Sequence, residues 1–304
     1  MPVSVKPSDR DAALGLLAGV GAFGIWGLAP LYFKLLGHVG ADEIIAHRVV
    51  WSVVLLALVL WLRRRYGLIK HLRIRRSTLF ALIVSGVLIV SNWLIFVFAI
   101  NTDRVLSTSL GYFINPLVSV LFGVLFFRER LGVLQVIAVV IAAAGTLYMT
   151  LRVGEFPWIA MALAISFALY GVVRKKTDVG PMVGLFWETL LIAPLALAWL
   201  WWLGQSGTLQ FSVDDGREAL LLAGTGLVTL VPLVLFAAAV RRVALSTVGL
   251  MQYLTPSMTF VLAVFVFGEP FTRDHAITFG CIWTALVLFS WAGWVRTRRA
   301  RIPV

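Results

Sequence analysis

Cysteine is nearly missing from this chain of 304 residues: Cys281 stands alone, so no intrachain disulfide can form. Charge is scarce as well. Asp, Glu, Lys and Arg make up 13% of the sequence, against roughly 25% in soluble domains. No polar stretch is long enough to hold a soluble domain. A Ser/His/Asp set, a phosphate loop and a Cys/His cluster with metal-ligand spacing are all lacking. What fills the chain instead is apolar: 61% of residues are hydrophobic, and mean hydropathy is +0.96. That composition belongs to a protein of the lipid bilayer. The net charge of +12 does not point to nucleic acid, because the basic residues sit in short clusters between apolar runs and form no long basic face. No cleavable signal is expected at the N-terminus, where the first apolar run is too long and lacks a small-residue cleavage site.

A spanning helix needs roughly 20 mostly apolar residues. Ten such runs are predicted, at about 13–36, 41–62, 77–100, 105–127, 131–151, 156–173, 180–203, 218–240, 244–267 and 274–295. The expected fold class is an all-α integral membrane protein with ten transmembrane helices. Lys and Arg set its orientation. With the N-terminus in the cytoplasm, 20 of the 26 basic residues fall on the cytoplasmic side and 5 outside, with Arg48 inside a span. Both termini are then cytoplasmic, residues 1–12 as a short tail and 296–304 as a basic one.

The chain also repeats itself. "TSLGYFINPLVSVLFGVLFFRERL" (108–131) and "VGLMQYLTPSMTFVLAVFVFGEPF" (248–271) set Pro116 against Pro256, Phe113 against Tyr253 and Glu129 against Glu269, all at an offset of 140. "FGIWG" (23–27) resembles "FALYG" (167–171) at an offset of 144. The expected repeats are 13–151 and 156–295. Five spans is an odd number, so the halves insert in opposite orientations. Inverted repeats of this kind are a signature of many transporter folds.

Longer stretches carry a resemblance: "IWGLAPLYFK" (25–34), "ADEIIAHRVVWS" (41–52), "SNWLIF" (91–96), "SLGYFINPLVSVLFG" (109–123), "YGVVRKK" (170–176), "WET" (187–189) and "LSTVGLMQYLTPSMTFVLAVFVFGE" (245–269). In these the chain resembles the EamA-type branch of the drug/metabolite transporter superfamily, and within it the RarD group. The resemblance implies a secondary transporter in the bacterial inner membrane, working as an exporter by alternating access. It associates the group with chloramphenicol sensitivity and implies no settled substrate.

Ionisable residues near a span are costly, about 2.5–3.5 kcal/mol each at the helix centre on insertion scales. "GADEIIAHRVV" (40–50) carries four of them. Asp42 and Glu43 suit the first turn of a helix, with Asp42 an N-cap candidate. Glu43 and His47 share a face at i,i+4. His47 and Arg48 are candidates for a central cavity, with Arg48 holding an anionic group of a substrate; a structural histidine and a snorkelling arginine are the plainer alternatives. "EIIAH" is no zinc motif, since the first His of H-E-x-x-H is lacking. Glu188, in the corresponding region of the second half, is a candidate for proton coupling or for the counter-ion of Arg48. Glu43 is the other coupling candidate. Asn92, Asn115 and Gln252 are amides inside spans, fit either for substrate or for holding helices together. Pro116 and Pro256 mark helix kinks that free a carbonyl one turn back. Trp26, Trp93, Tyr112, Tyr170 and Tyr253 are candidates for stacking on a flat, partly apolar substrate. Trp201 and Trp202 read as membrane-interface anchors. Glu129 and Glu269 are expected to cap the helices that follow them. "GVGAFG" (19–24) fits a dinucleotide fingerprint only in letters. It follows no strand and lies inside a span, so its small residues are expected to allow close helix contact.

The function expected is secondary transport of a small amphipathic metabolite or drug, amino acid-like, aromatic or chloramphenicol-like. The partners expected are that substrate and the bilayer, with proton coupling as an option. No metal and no cofactor are expected. An intramembrane enzyme acting on a lipid or isoprenoid would have to use His47, Glu43 and Glu188. A membrane scaffold would use the basic segment 63–76.

Overall fold

A computed structural model describes residues 9–65, 75–101, 105–153, 157–212, 216–266 and 272–299. Among these residues there are helices and no strands. The helices are α1 (Asp9–Lys34), α2 (Ala41–Arg65), α3 (Arg76–Asn101), α4 (Val105–Phe127), α5 (Val133–Val153), α6 (Trp158–Lys176), α7 (Pro181–Ser206), α8 (Gly216–Arg242), α9 (Leu245–Met251), α10 (Leu254–Phe265) and α11 (Arg273–Arg299). Eight of them are long and apolar enough to cross a membrane, and α4 adds a shorter apolar helix at Gly111–Phe127. In lipid every backbone polar group must find a partner inside the protein, and helices do this within one segment. The chain is therefore a multi-pass membrane protein.

The ends follow local chemistry. Acidic Asp42 and Glu43 lie in the first turn of α2 and Arg63, Arg64 and Arg65 in its last, matching the helix dipole. Pro181 opens α7, and Gly207 closes it in the left-handed conformation at φ 70°. α1 starts at Asp9 and α11 runs to Arg299, so both expected polar tails are partly helical extensions of their spans.

One expected span is two helices. The run at 244–267 breaks at Gln252–Tyr253 into α9 and α10. Pro256 has no N–H to offer the Gln252 carbonyl. Thr255 N–H bonds that carbonyl instead at 3.1 Å, three residues apart rather than four. Pro116, its counterpart, sits inside an unbroken α4.

Packing obeys an exchange of halves. α1 packs on α8 and α10, as α6 packs on α3 and α4; α2 packs on α8 as α7 packs on α3. The pairs α2 with α7, α4 with α9 and α5 with α11 map onto themselves. Most contacts thus cross between the halves, which interleave rather than form two separate bundles. Gly19 and Gly21 serve that packing, with a Cβ on Gly19 standing 2.6 Å from Met251 Cε, whereas Gly24 meets nothing within 4 Å. The largest core cluster gathers Phe23, Leu56, Tyr170, Leu233, Phe236 and Val240 from four helices. Leu17, Phe80, Leu195, Trp201 and Val287 are exposed, as lipid-facing residues of a spanning bundle are.

Candidate functional site

α2 carries His47 and Arg48 side by side, and a helix turns about 100° between neighbours. The structure accordingly separates them. Arg48 faces α8 and α3: its Nε donates to Thr229 Oγ1 at 2.7 Å, and its guanidinium lies 4.9 Å from the Trp93 ring and 5.6 Å from the Phe33 ring. Thr229 is held in turn by its own bond to the Thr225 carbonyl at 2.8 Å. Arg48 is half-buried, and none of the ion pairs among the described residues involves it. Tyr112 is in electrostatic reach of the guanidinium and is 46% exposed. A cation held along one edge, backed by aromatic faces and without a carboxylate partner among the described residues, has the chemistry to hold an anionic group.

His47 lies away from this site. Buried, it stands 4.9 Å from the Phe211 ring and lines an apolar pocket of about 220 Å³ with Trp51, Leu200 and Leu209. Glu43 Oε1 is 3.8 Å from His47 Nε2, too far for a hydrogen bond. Both Glu43 oxygens are taken: Oε2 accepts Gln210 N–H at 3.0 Å and Oε1 accepts Phe211 N–H at 2.8 Å. Glu43 therefore anchors the segment after α7. Asp42 is inside the first turn rather than an N-cap, and its Oδ2 accepts the Trp199 indole N–H at 3.0 Å.

Glu188 is not the counter-ion of Arg48. Its partner is Arg174, with Nη1 3.3 Å from Glu188 Oε1 and both side chains 1% exposed. Ser85 Oγ also donates to Glu188 Oε1, and Tyr170 OH donates to Oε2 at 3.4 Å. Arg174 Nη2 reaches the Pro181 carbonyl at 3.3 Å. Arg174 stands beside Lys175 and Lys176 in the sequence. It turns inward because Gly184 has no side chain; a Cβ there would collide with Arg174 Nη1.

The remaining candidates divide. Trp26 packs in an aromatic cluster with Phe23 at 5.6 Å, Phe167 at 5.8 Å and Phe236 at 6.1 Å. Tyr170 is fully buried and stacks on Phe236 at 5.8 Å, so it touches no substrate in this conformation. Asn92 Nδ2 is committed to α6, donating to the Leu163 carbonyl at 2.9 Å and Ser166 Oγ at 3.0 Å. Tyr253 is fully buried and donates to the Phe113 carbonyl at 3.1 Å. Gln252 Nε2 donates to Ser119 Oγ at 2.9 Å, while Gln252 Oε1 and Asn115 Oδ1 are buried without hydrogen-bond partners. Asn92, Tyr170 and Tyr253 are thus engaged in helix packing in this conformation. Glu129 caps a helix, but not the next one: it accepts Leu245 N–H at 2.6 Å and Ser246 N–H at 2.8 Å, at the start of α9. Glu269 lies outside the described residues. Of the three groups an enzyme would need, Glu43 and His47 stand together while Glu188 belongs to a different cluster.

Sequence reasoning missed Thr229, Phe33, Ser85 and Arg174. The repeat carried a signal for two of them: at the offset of 144 that relates 23–27 to 167–171, Ser85 falls on Thr229.

The comparisons with known proteins agree with this architecture. The EamA-like transporter family matches residues 13–151 and 157–291. An uncharacterized transporter of Vibrio cholerae is 46% identical over 94% of this chain and 95% of its own. Protein RarD of Escherichia coli is 42% identical over 92% of this chain and 95% of its own. One solved crystal structure has a TM-score of 0.71 at 18% identity, covering 91% of this chain and 97% of that one, and so shares the fold. With eight helices among the described residues long and apolar enough to span a membrane, halves that interleave by exchange and relatives of this closeness, the chain belongs to the EamA-like transporter family, in its RarD branch, and is a membrane transporter.

Proposed function

We propose that the protein is a secondary transporter of a small amphipathic molecule with an anionic group, working by alternating access in the bacterial inner membrane with both termini cytoplasmic. Arg48 receives the anionic group, and Trp93, Phe33 and Tyr112 line the path of an apolar, often aromatic, body. The single observation behind this is the half-buried guanidinium with Thr229 on one edge, Trp93 on its face and no ion-pair partner among the described residues. An intramembrane cation is costly, and an anionic ligand offsets that cost. Amino acid-like compounds and aromatic acids are the probes this chemistry suggests, with export as the direction; chloramphenicol, a neutral nitroaromatic, is a probe that the family resemblance alone brings in.

The halves exchange roles in the cycle. The Glu188–Arg174 cluster is the sealed end in the present conformation, and the Arg48 end is the receptive one. Rocking of the interleaved halves opens the first and closes the second. Proton coupling, where it operates, runs through Glu188 once it separates from Arg174.

The test is a thermal-shift panel on purified protein with amino acids, aromatic acids, chloramphenicol and lipid precursors. A binder of the folded state raises apparent stability by mass action. The expected outcome is a shift by an anionic or zwitterionic compound in the wild type and none in Arg48→Ala. A shift that persists in Arg48→Ala removes Arg48 from the site.

A further inference from the structure

Beside the break between α9 and α10 lie two buried side-chain oxygen atoms without hydrogen-bond donors. Gln252 is 5% exposed, and its Oε1 is buried without a hydrogen-bond partner. Its amide nitrogen is spent on Ser119 Oγ at 2.9 Å, which brings the side chain to α4. One turn along α4 from Ser119, Asn115 Oδ1 is also buried without a partner. The backbone adds to this. Thr255 N–H, whose acceptor in an unbroken helix is the Met251 carbonyl, bonds Gln252 instead. Pro116 gives no N–H to the Tyr112 carbonyl. The two chain segments also approach closely, since a Cβ on Gly249 would stand 2.9 Å from the Pro116 carbonyl oxygen.

The two side-chain atoms left without partners, Asn115 Oδ1 and Gln252 Oε1, are both acceptors. Two buried side-chain acceptors without donors cost about 1–3 kcal/mol each, and inside a membrane no bulk water relieves them. The occupant must therefore bring positive charge or hydrogens. α4, α9 and α10 hold no acidic, basic or histidine residue. Amides, carbonyls and a hydroxyl do not titrate in the physiological range, so a bare proton is not the occupant. A divalent ion would demand carboxylates, and among the described residues no cluster of three His, Cys, Asp or Glu exists. The backbone keeps right-handed helical torsions at Gln252 and Tyr253 and only tightens there, and neutral amide oxygens beside such a turn suit a monovalent metal ion. Both Asn115 and Gln252 lie in the middle third of their spans, the level at which transporters place coupling ions.

We propose that a monovalent metal cation, with Na⁺ as its probe, binds between Asn115 of α4 and Gln252 at the α9–α10 break. The site is distinct from Glu188, which belongs to the α3–α6–α7 cluster. It shares a face of α4 with Tyr112, which lies three residues before Asn115 and within reach of Arg48. Cation and anionic substrate would then occupy neighbouring turns of one helix.

Purified wild type, Asn115→Leu, Gln252→Leu and Arg48→Ala are compared in detergent. Thermal unfolding is recorded in NaCl, KCl and N-methylglucamine chloride at equal ionic strength, and retention of ²²Na⁺ is measured directly. The expected result is a saturable rise in Tm with Na⁺ or K⁺ over N-methylglucamine, retained ²²Na⁺ that excess NaCl displaces, and at least tenfold weaker binding in both amide variants. Arg48→Ala keeps the ²²Na⁺, so loss of the substrate site is told apart from loss of this one. Equal Tm in all three salts with no retained ²²Na⁺ overturns the proposal and leaves water on these oxygens. Wild-type binding that both amide variants retain overturns it as well. Should the variants fail to fold, the wild-type ²²Na⁺ measurement still decides.

Discussion

Arg48 and Glu188 hold the same place in the two halves of the chain and carry opposite charges. Each is the eighth residue of its helix, α2 and α7 respectively. Each bonds a hydroxyl on the helix that packs against it from the other half: Arg48 on Thr229 of α8, Glu188 on Ser85 of α3. Their surroundings differ. Glu188 is sealed at 1% exposure with an arginine beside it, whereas Arg48 is half-buried and has no ion-pair partner among the described residues. One architectural position thus appears in a sealed, ion-paired form and a half-buried form without an ion pair among the described residues.

Charge and shape at Arg48 can be tested apart. Arg48→Lys keeps the charge but loses the planar edge that meets Thr229 and the face that lies on Trp93. A charge-assisted hydrogen bond contributes about 1.5–3 kcal/mol, or roughly 10- to 100-fold in affinity. Arg48→Ala is expected to lose that whole factor for an anionic ligand and Arg48→Lys part of it, measured by titration calorimetry. Equal affinities in all three proteins would place the ligand elsewhere.

Removing one partner of a buried ion pair strands the other, at a cost of about 3–5 kcal/mol. Glu188→Gln and Arg174→Met are each expected to destabilise strongly, and the double variant less than the sum of the two. A double-mutant cycle on thermal or denaturant unfolding checks this. Simple additivity would mean the pair is not coupled.

Gly184→Ala probes the same cluster without touching a charge. The new Cβ collides with Arg174 Nη1, and overpacking of this kind costs about 1–3 kcal/mol. The expected outcome is a lowered Tm in Gly184→Ala, and a smaller further loss from the same substitution when it is made on an Arg174→Met background, because the shorter side chain vacates the space.

Glu129 fixes the start of α9 from a distance of more than a hundred residues. Loss of a capping side chain costs about 0.5–2 kcal/mol. Glu129→Ala is expected to destabilise within that range and to speed hydrogen exchange at the Leu245 and Ser246 amides. Unchanged protection at those two amides would show that the cap is dispensable.

Much of this architecture was legible in the letters. Apolar run length marks a span because the bilayer has a fixed thickness. Repeat offsets survive because the two halves pack by the same rules. The need for a partner at Arg48 followed from the cost of a charge in lipid. Other features depended on neighbours distant in sequence. Pro116 and Pro256 are the same residue at equivalent places, yet one sits in an unbroken helix and the other beside a break. Arg174 resembles its neighbours Lys175 and Lys176 but is buried, since a glycine ten residues later leaves it room. Glu129 precedes α5 and caps α9. Composition and periodicity report what each helix asks of its surroundings, and so the sequence by itself determined the spans, the repeat and the membrane setting. Which partner answers each request is set by contacts between helices far apart in the chain, so only the tertiary structure decided that Arg48 meets Thr229 and Glu188 meets Arg174.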